Sequence, residues 1–226
     1  MRKHNLVSNS IYHIYNRGVE KRRLFMDEQD YFRFVKCLCL FNDSKPILNA
    51  EYKFKNLDDV AGSRNMLVDM LAFCLMPNHF HLLLRQREKN GITKFMRKLC
   101  VGYANYFNLK HRRVGSLFQG RFKSVLIQHD SQFGYIPYYI HLNPLDLVVP
   151  DWRENGVSKL GEAVDFLNSY KWSSHTDYLG KPNFPLVSQR GLLNEYFGGS
   201  AGYKRDFNIF IKDLDFTGSD LSLFLE

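Results

Sequence analysis

The chain has 226 residues, of which 45% are hydrophobic, and 31 Lys+Arg against 23 Asp+Glu give a formal net charge of +8. That length suits one domain, or one domain with an appendage, and no stretch reaches the roughly 20 apolar residues of a membrane span. Residues 1–130 hold 23 basic and 11 acidic side chains, whereas residues 131–226 hold 8 and 12, so a balance of +12 is followed by one of −4. A basic body of this kind fits a polyanion partner and equally a solvated surface with none. The opening MRKHNLVSNSIYHIYNRG has no long apolar run or small-residue cleavage site, so a cytoplasmic location is expected. Cys37, Cys39, Cys74 and Cys100 lie in apolar segments without a C-x-x-C pair, and read as reduced core residues.

In chain order, Ile11–Asn16 alternates and is rich in β-formers, predicting a strand closed by Arg17-Gly18. Asp27-Glu28-Gln29 is an acidic helix start, followed by Tyr31, Phe34, Val35, Leu38 and Cys39 at steps of three and four. Residues 44–65 are polar and read as an excursion. Met66–Leu75 and His79–Leu84 are apolar runs split only by Met76-Pro77-Asn78, which predicts adjacent antiparallel strands. Gly91–Arg113 is the longest helical candidate, with Ile92, Phe95, Met96, Leu99, Tyr103, Tyr106 and Phe107 on one side. Phe122–Gln128 reads as a strand, and Asp130 opens a helix that stops near Asn143-Pro144. The order β-α-β-β-α-β-α predicts an α+β fold, a ferredoxin-like antiparallel sheet with helices on one face. Residues 1–150 are expected to form the functional domain. Residues 151–226 are then a mostly helical C-terminal extension, with helices near Gly161–Ser169 and Leu192–Leu214.

Two groups of residues carry chemistry. Side chains two apart on a strand share a face, so His79 and His81 project together while Phe80 points away. Two imidazoles so placed can share a divalent metal, although a bare H-x-H is more often satisfied by hydrogen bonds. Tyr139 and Asn143, four apart, share a face of the helix. Taken alone, that pair is better explained by a packed tyrosine and a helix-stopping asparagine. Of the neighbouring tyrosines, Tyr138 is rotated about 100° from Tyr139, while Tyr135 is on its side of the helix. His13 is a possible support for the pair or a satisfied sheet residue, and His141 lies off the Tyr139 face.

The ordered set MPNHFHLLL, a basic helix, GSLFQGRFKS and YIHLNP resembles the single-tyrosine HUH transposases, namely the insertion-sequence-200-like elements and, more closely, the REP-associated tyrosine transposases of bacteria. The resemblance spans about Ile11 to Val149, and SYKWSSHTDYLG resembles a segment that follows the core in longer members. It implies an HUH nuclease domain over residues 1–150, with His79 and His81 as the metal pair, Tyr139 as nucleophile and Asn143 as the position completing the metal site. The implied activity is metal-dependent cleavage and rejoining of single-stranded DNA beside a hairpin, through a phosphotyrosine, with Mg²⁺ or Mn²⁺, as a monomer or homodimer and without a membrane. A non-catalytic hairpin-binding regulator on the same fold is the alternative, and a metal hydrolase using water a third. Lys94, Arg97, Lys98, Arg112, Arg113, Arg121 and Lys123 are candidates to follow a phosphate backbone, with Phe118 and Phe122 to stack on bases or pack in the core. Arg17, Lys21, Arg22 and Arg23 form a second basic cluster, either a DNA contact or a solvated turn.

Overall fold

The structure is a computed structural model and describes residues 6–46 and 64–212. Four strands, β1 (Ile11–Arg17), β2 (Val68–Met76), β3 (His79–Gln86) and β4 (Lys123–Ile127), form one antiparallel sheet in the order β2-β3-β1-β4. Helix α1 (Glu28–Leu40) links β1 to β2, and α2 (Gly91–Lys110) links β3 to β4. This is the ferredoxin-like order expected. Most of the 44–65 excursion lies outside the described residues, as does the tail beyond 212.

Local chemistry sets the helix ends. The Asp27 carboxylate accepts from the Asp30 amide at 3.0 Å and starts α1. Gly91 opens α2 against the β2 edge, where a Cβ would stand 2.3 Å from the Leu67 carbonyl oxygen. Buried Asp30 accepts from Lys110 Nζ at 2.8 Å and from the Tyr106 hydroxyl at 3.1 Å, and lies 2.9 Å from His111 Nε2, so the end of α2 is tied to the start of α1.

Strand alternation divides the interior into two layers. Tyr12, Ile14, Met70, Phe73, Leu75, Phe80, Leu82 and Leu84 pack against Phe34, Val35 and Leu38 of α1 and Phe95, Met96, Leu99 and Tyr103 of α2. A bulge between Met70 and Ala72 changes the parity of β2, so Leu71, Ala72, Cys74 and Met76 face the other way. α1 and α2 are thus the helices expected on one face. The opposite face is covered as well, by α3 (Asp130–Leu142) and by residues after 150. α3 begins where Gln132 Oε1 accepts from the Gln128 amide at 2.8 Å, and it runs through Pro137 without interruption.

The segment after 150 forms α4 (Trp152–Asn155), α5 (Leu160–Ser169), α6 (His175–Tyr178), α7 (Gly191–Phe197) and α8 (Gly199–Lys212). It performs two tasks. The outer edge of β2, an apolar strand whose free N–H and C=O groups would invite mispairing, is satisfied by the Leu75 amide donating to the Trp172 carbonyl (2.9 Å), the Ser174 amide to the Phe73 carbonyl (3.0 Å) and the Gln189 amide to the Met70 carbonyl (2.8 Å). α3 is gripped from behind: Tyr138 packs on Phe197, Tyr203, Phe207 and Phe210 with ring centroids 5.2–6.0 Å apart.

A buried polar chain threads this layer. His141 Nδ1 and His175 Nδ1 lie 2.7 and 2.8 Å from the Tyr203 hydroxyl, His141 Nε2 lies 2.8 Å from Ser174 Oγ, and His175 Nε2 lies 3.2 Å from Asn168 Oδ1. One assignment of protons satisfies these four contacts together. The Phe73 amide donates to Ser174 Oγ, Ser174 to His141 Nε2, His141 Nδ1–H to Tyr203, Tyr203 to His175 Nδ1, and His175 Nε2–H to Asn168. Tyr203→Phe removes the central hydroxyl and strands two buried ring nitrogens, and is expected to cost about 2–4 kcal/mol, read as a lower urea midpoint at unchanged m-value.

Candidate active site

The register of β1 against β3 builds the site. Tyr15 pairs with His81, Arg17 with His79 and His13 with Leu83, so these six side chains share one face. β4 adds Lys123 opposite Tyr15 and Val125 opposite His13. Along this face the surface passes from apolar Leu83 and Val125, through the histidines, to cationic Arg17 and Lys123 at the rim.

His79 and His81 meet edge to face, their ring centroids 5.0 Å apart. Asn78 gives its amide N–H₂ to the Lys21 carbonyl at 3.3 Å and turns its oxygen to His79 Nδ1 at 2.7 Å. His79 therefore carries its proton on Nδ1, which leaves the lone pair on Nε2. His81 Nδ1 lies 2.9 Å from His13 Nε2, and His81 Nε2 is buried without a hydrogen-bond partner among the described residues. An orphaned buried ring nitrogen is costly, and a metal ion is one way to use it. Burial holds all three imidazoles neutral, the state that binds metals. It lowers the pKa of His13 to about 3, lowers His81 well below the ordinary value, and takes His79 to about 4, with Asp146 raising and Arg153 and Arg17 lowering it further.

Tyr139 stands over this pair. Its ring lies 5.9 Å from that of His81 and 5.9 Å from that of His13, edge-on to both. Tyr135 stacks on Tyr139 at 6.2 Å, whereas Tyr138 points to the opposite side of α3, as its rotation predicts. His141 also faces away, into the polar chain.

Asn143 ends α3, its Nδ2 donating to the Tyr139 carbonyl at 2.8 Å. Its Oδ1 accepts from Arg153 Nη2 at 3.0 Å, and the same guanidinium pairs with Asp146 and lies 5.8 Å from the centre of the Tyr139 ring. Asp146 also accepts from the Trp152 indole at 2.6 Å. Arg153 and Asp146 are functional candidates that the sequence reading did not single out. Neither carries a motif of its own in the sequence, where they stand in the stretch LDLVVPDWR after YIHLNP.

The predicted DNA contacts separate into groups. Arg17, Arg121 and Lys123 line one hollow of about 230 Å³ with Tyr15, Asn16 and Gln119, beside the histidines. Arg97 and Arg121 line a larger one of about 590 Å³ with Asn16, Asn90 and Phe122. Lys94 pairs with Glu88 at 2.7 Å. Lys98 is folded onto the Asp43 and Lys45 carbonyls, the latter at 2.7 Å, and serves the loop after α1. Arg112 is exposed past the end of α2, and Arg113 donates to Asn108 at 2.9 Å. Lys21 and Arg23 are exposed, and Arg22 lies 3.7 Å from Glu20. Phe118 is buried against Phe80 in the core, not available to stack.

A family model described as "Transposase IS200 like" matches residues 35–143. Over that span the chain is similar to the IS200-like transposase family. The matched residues include His79, His81, Tyr139 and Asn143, and leave His13 and Arg153 outside. A solved structure entitled "Structure of the REP associates tyrosine transposase bound to a REP hairpin" is similar in fold, with a TM-score of 0.54, 12% sequence identity and coverage of 83% of this chain and 88% of that one. No curated protein sequence matches the chain. No helix among the described residues is long and apolar enough to cross a membrane.

The histidines make stability depend on pH. The folded-state pKa of each of His13, His79, His81, His141 and His175 lies below the ordinary value, to about 3 for His13 and His175 and about 4 for His79. Below the unfolded value near 6.5 the unfolded chain binds protons that the folded chain refuses. Their contribution is fully present above that pH and is lost as the pH falls towards 4, by about 1.4 kcal/mol per unit for each histidine. Urea unfolding in chelator at pH 7, 5.5 and 4.5 is expected to show a steep loss, with uptake of more than one proton on unfolding.

Proposed function

We propose that this chain cleaves and rejoins single-stranded DNA beside a hairpin, with Tyr139 as the nucleophile and His79 and His81 holding a divalent metal, Mg²⁺ or Mn²⁺. The observation that carries this reading is the seating of Tyr139 edge-on against His81 and His13 of the same chain, at 5.9 Å from each ring. A buried tyrosine has no structural need for two imidazole neighbours, one with an unpartnered nitrogen.

The donor set fits a metal. Two neutral imidazoles, one with its lone pair directed by Asn78 and the other with a bare nitrogen, are the form metals bind. Among the described residues no three His, Cys, Asp or Glu side chains gather into a metal-binding group, so oxygens of amide, water or phosphate must complete the coordination. A divalent cation held there supplies positive charge against the phosphate being attacked.

The rest belongs to the chain's own residues. His13 props His81 through Nδ1, and Asn78 props His79. Asn143 caps α3 and fixes the end that carries the nucleophile. Arg17, Arg121 and Lys123 line the hollow beside the histidines and suit the phosphates of an incoming strand. In the reaction the Tyr139 phenol oxygen bonds to phosphorus as the bond to the 3′ oxygen breaks. The phenol proton passes to water and the leaving oxygen takes one up. The fold likeness to a hairpin-bound relative supports a hairpin as partner.

The test is a denaturing gel of full-length protein with labelled hairpin DNA bearing single-stranded flanks, in Mn²⁺. A covalent adduct is expected, abolished by chelator, reduced about 10³-fold or more in Tyr139→Phe, and strongly reduced in His79→Ala and His81→Ala. Hairpin binding with no adduct points instead to the regulator, and free ends without adduct to a hydrolase.

A further inference from the structure

We propose that the turn after β1 couples phosphate binding to metal binding, with Lys21 and Asn78 as positioning residues for His79. This rests on the function proposed above and deepens it.

Within the turn Val19–Lys21, Glu20 and Lys21 are both left-handed, at φ 55° and 57°. Neither is a glycine or an asparagine, the residues that take this conformation at least cost. Such strain persists only where the surroundings over-determine it, and here they do. The Gly18 amide donates to the Asn78 carbonyl at 2.8 Å, the Val19 amide to the Leu117 carbonyl at 3.0 Å, and the Leu24 and Phe25 amides to the Pro77 carbonyl at 2.8 and 3.2 Å. A Cβ on Gly18 would stand 2.2 Å from the Arg22 carbonyl oxygen, so the backbone closes tightly on itself. The turn is thereby laid on Pro77-Asn78, the two residues that precede His79.

Lys21 faces two ways. Its carbonyl accepts from Asn78 Nδ2 at 3.3 Å, and Asn78 Oδ1 lies 2.7 Å from His79 Nδ1. Its side chain is exposed, as is that of Arg23, and together they offer two cations to a phosphate. An asparagine suits the middle of this relay because it donates to a carbonyl and accepts from an imidazole N–H, whereas an aspartate can only accept. The long 3.3 Å bond works against a strained backbone, which gives the turn two states. In the closed state, the one described, Asn78 is held and His79 presents Nε2. In the open state the backbone relaxes, the amide is freed and His79 can turn either nitrogen outward. A phosphate seated on Lys21 and Arg23 in the closed state draws molecules into it, and the closed state is the one that suits the metal. By linkage the metal tightens the phosphate by the same factor. No contact with the phosphate being cut is required.

The test uses full-length protein and a labelled blunt hairpin without single-stranded flanks, which offers no phosphate for cleavage. Hairpin affinity is read by fluorescence anisotropy with and without saturating Mn²⁺ at constant ionic strength, and Mn²⁺ alone is titrated by calorimetry. Wild type is expected to bind the hairpin about 5–10-fold tighter with Mn²⁺. His79→Ala lacks this effect, which separates it from Mn²⁺ acting on the DNA. Asn78→Ala weakens Mn²⁺ about tenfold or more and removes the coupling. Asn78→Asp still accepts from His79 but no longer donates to Lys21, so it keeps Mn²⁺ affinity within about threefold and loses the coupling. Lys21→Ala keeps Mn²⁺ affinity and loses the coupling together with about one unit of the salt slope. Glu20→Gly relieves part of the strain, so Mn²⁺ alone binds tighter and the coupling shrinks. The proposal is overturned if the wild-type coupling is below about twofold, if Asn78→Ala leaves Mn²⁺ affinity within about threefold of wild type, or if Lys21→Ala or Asn78→Asp keeps the full coupling. Should Asn78→Ala not fold, Asn78→Asp and Lys21→Ala decide on the coupling alone. A wild type that binds the hairpin but not Mn²⁺ defeats the metal reading above, and this proposal with it. A wild type that forms the adduct on flanked DNA without the coupling leaves that reading standing and defeats this proposal alone.

Discussion

The pairing of β1 with β3 in one register is the constraint on which the candidate site depends. With Tyr15 opposite His81 and Arg17 opposite His79, the histidines, the supporting His13 and the cationic rim share one face. Because strand side chains alternate, a slip of one residue in either strand would turn its half of the site into the apolar layer under α1 and α2. The register is held by both faces at once. Phe80 and Leu82 fill one layer between Phe34 and Phe95 while His81 and Leu83 face the other.

Two buried histidine systems lie on that second face, and their difference separates scaffold from chemistry. The chain through His141, Tyr203 and His175 closes, every donor meeting an acceptor. It behaves as structure, joining α3, α6 and α8 to the backbone of β2. The system of His13 and His81 stops at His81 Nε2, a buried nitrogen with nothing to bond. Folding has accepted the desolvation of that group without a protein hydrogen bond in return. Arg153 stands nearby, its two protein contacts fixing the fork at the edge of solvent.

Much of this was legible in the sequence. The strand pair divided at Pro77-Asn78, the common face of His79 and His81, and the opposition of Tyr138 and Tyr139 follow from periodicity alone. Three features are not local. His13 reads as an ordinary sheet histidine until β1 is placed beside β3. Lys98 reads as a phosphate contact until its ammonium is found on the Asp43 and Lys45 carbonyls. Arg153 draws no notice because nothing nearby in sequence shows that Asn143 will face it. The bulge in β2 is likewise invisible in a run that is apolar on both faces.

The clasp between β2 and the segment after 150 has a further consequence for when the site comes into being. Its hydrogen bonds join residues far apart in the chain, with separations of 95 for Tyr170 to Leu75, 101 for Ser174 to Phe73 and 107 for Tyr178 to Leu71. Contacts of such long reach are among the slowest to form, and a chain made from its N-terminus produces the residues behind α3 last. The sheet and its two crossover helices can assemble while Tyr139 still lacks its rear wall of Tyr203, Phe207 and Phe210. A nascent chain is therefore a sheet carrying histidines before Tyr139 is seated over them. Assembly order itself delays the moment at which the candidate site is complete.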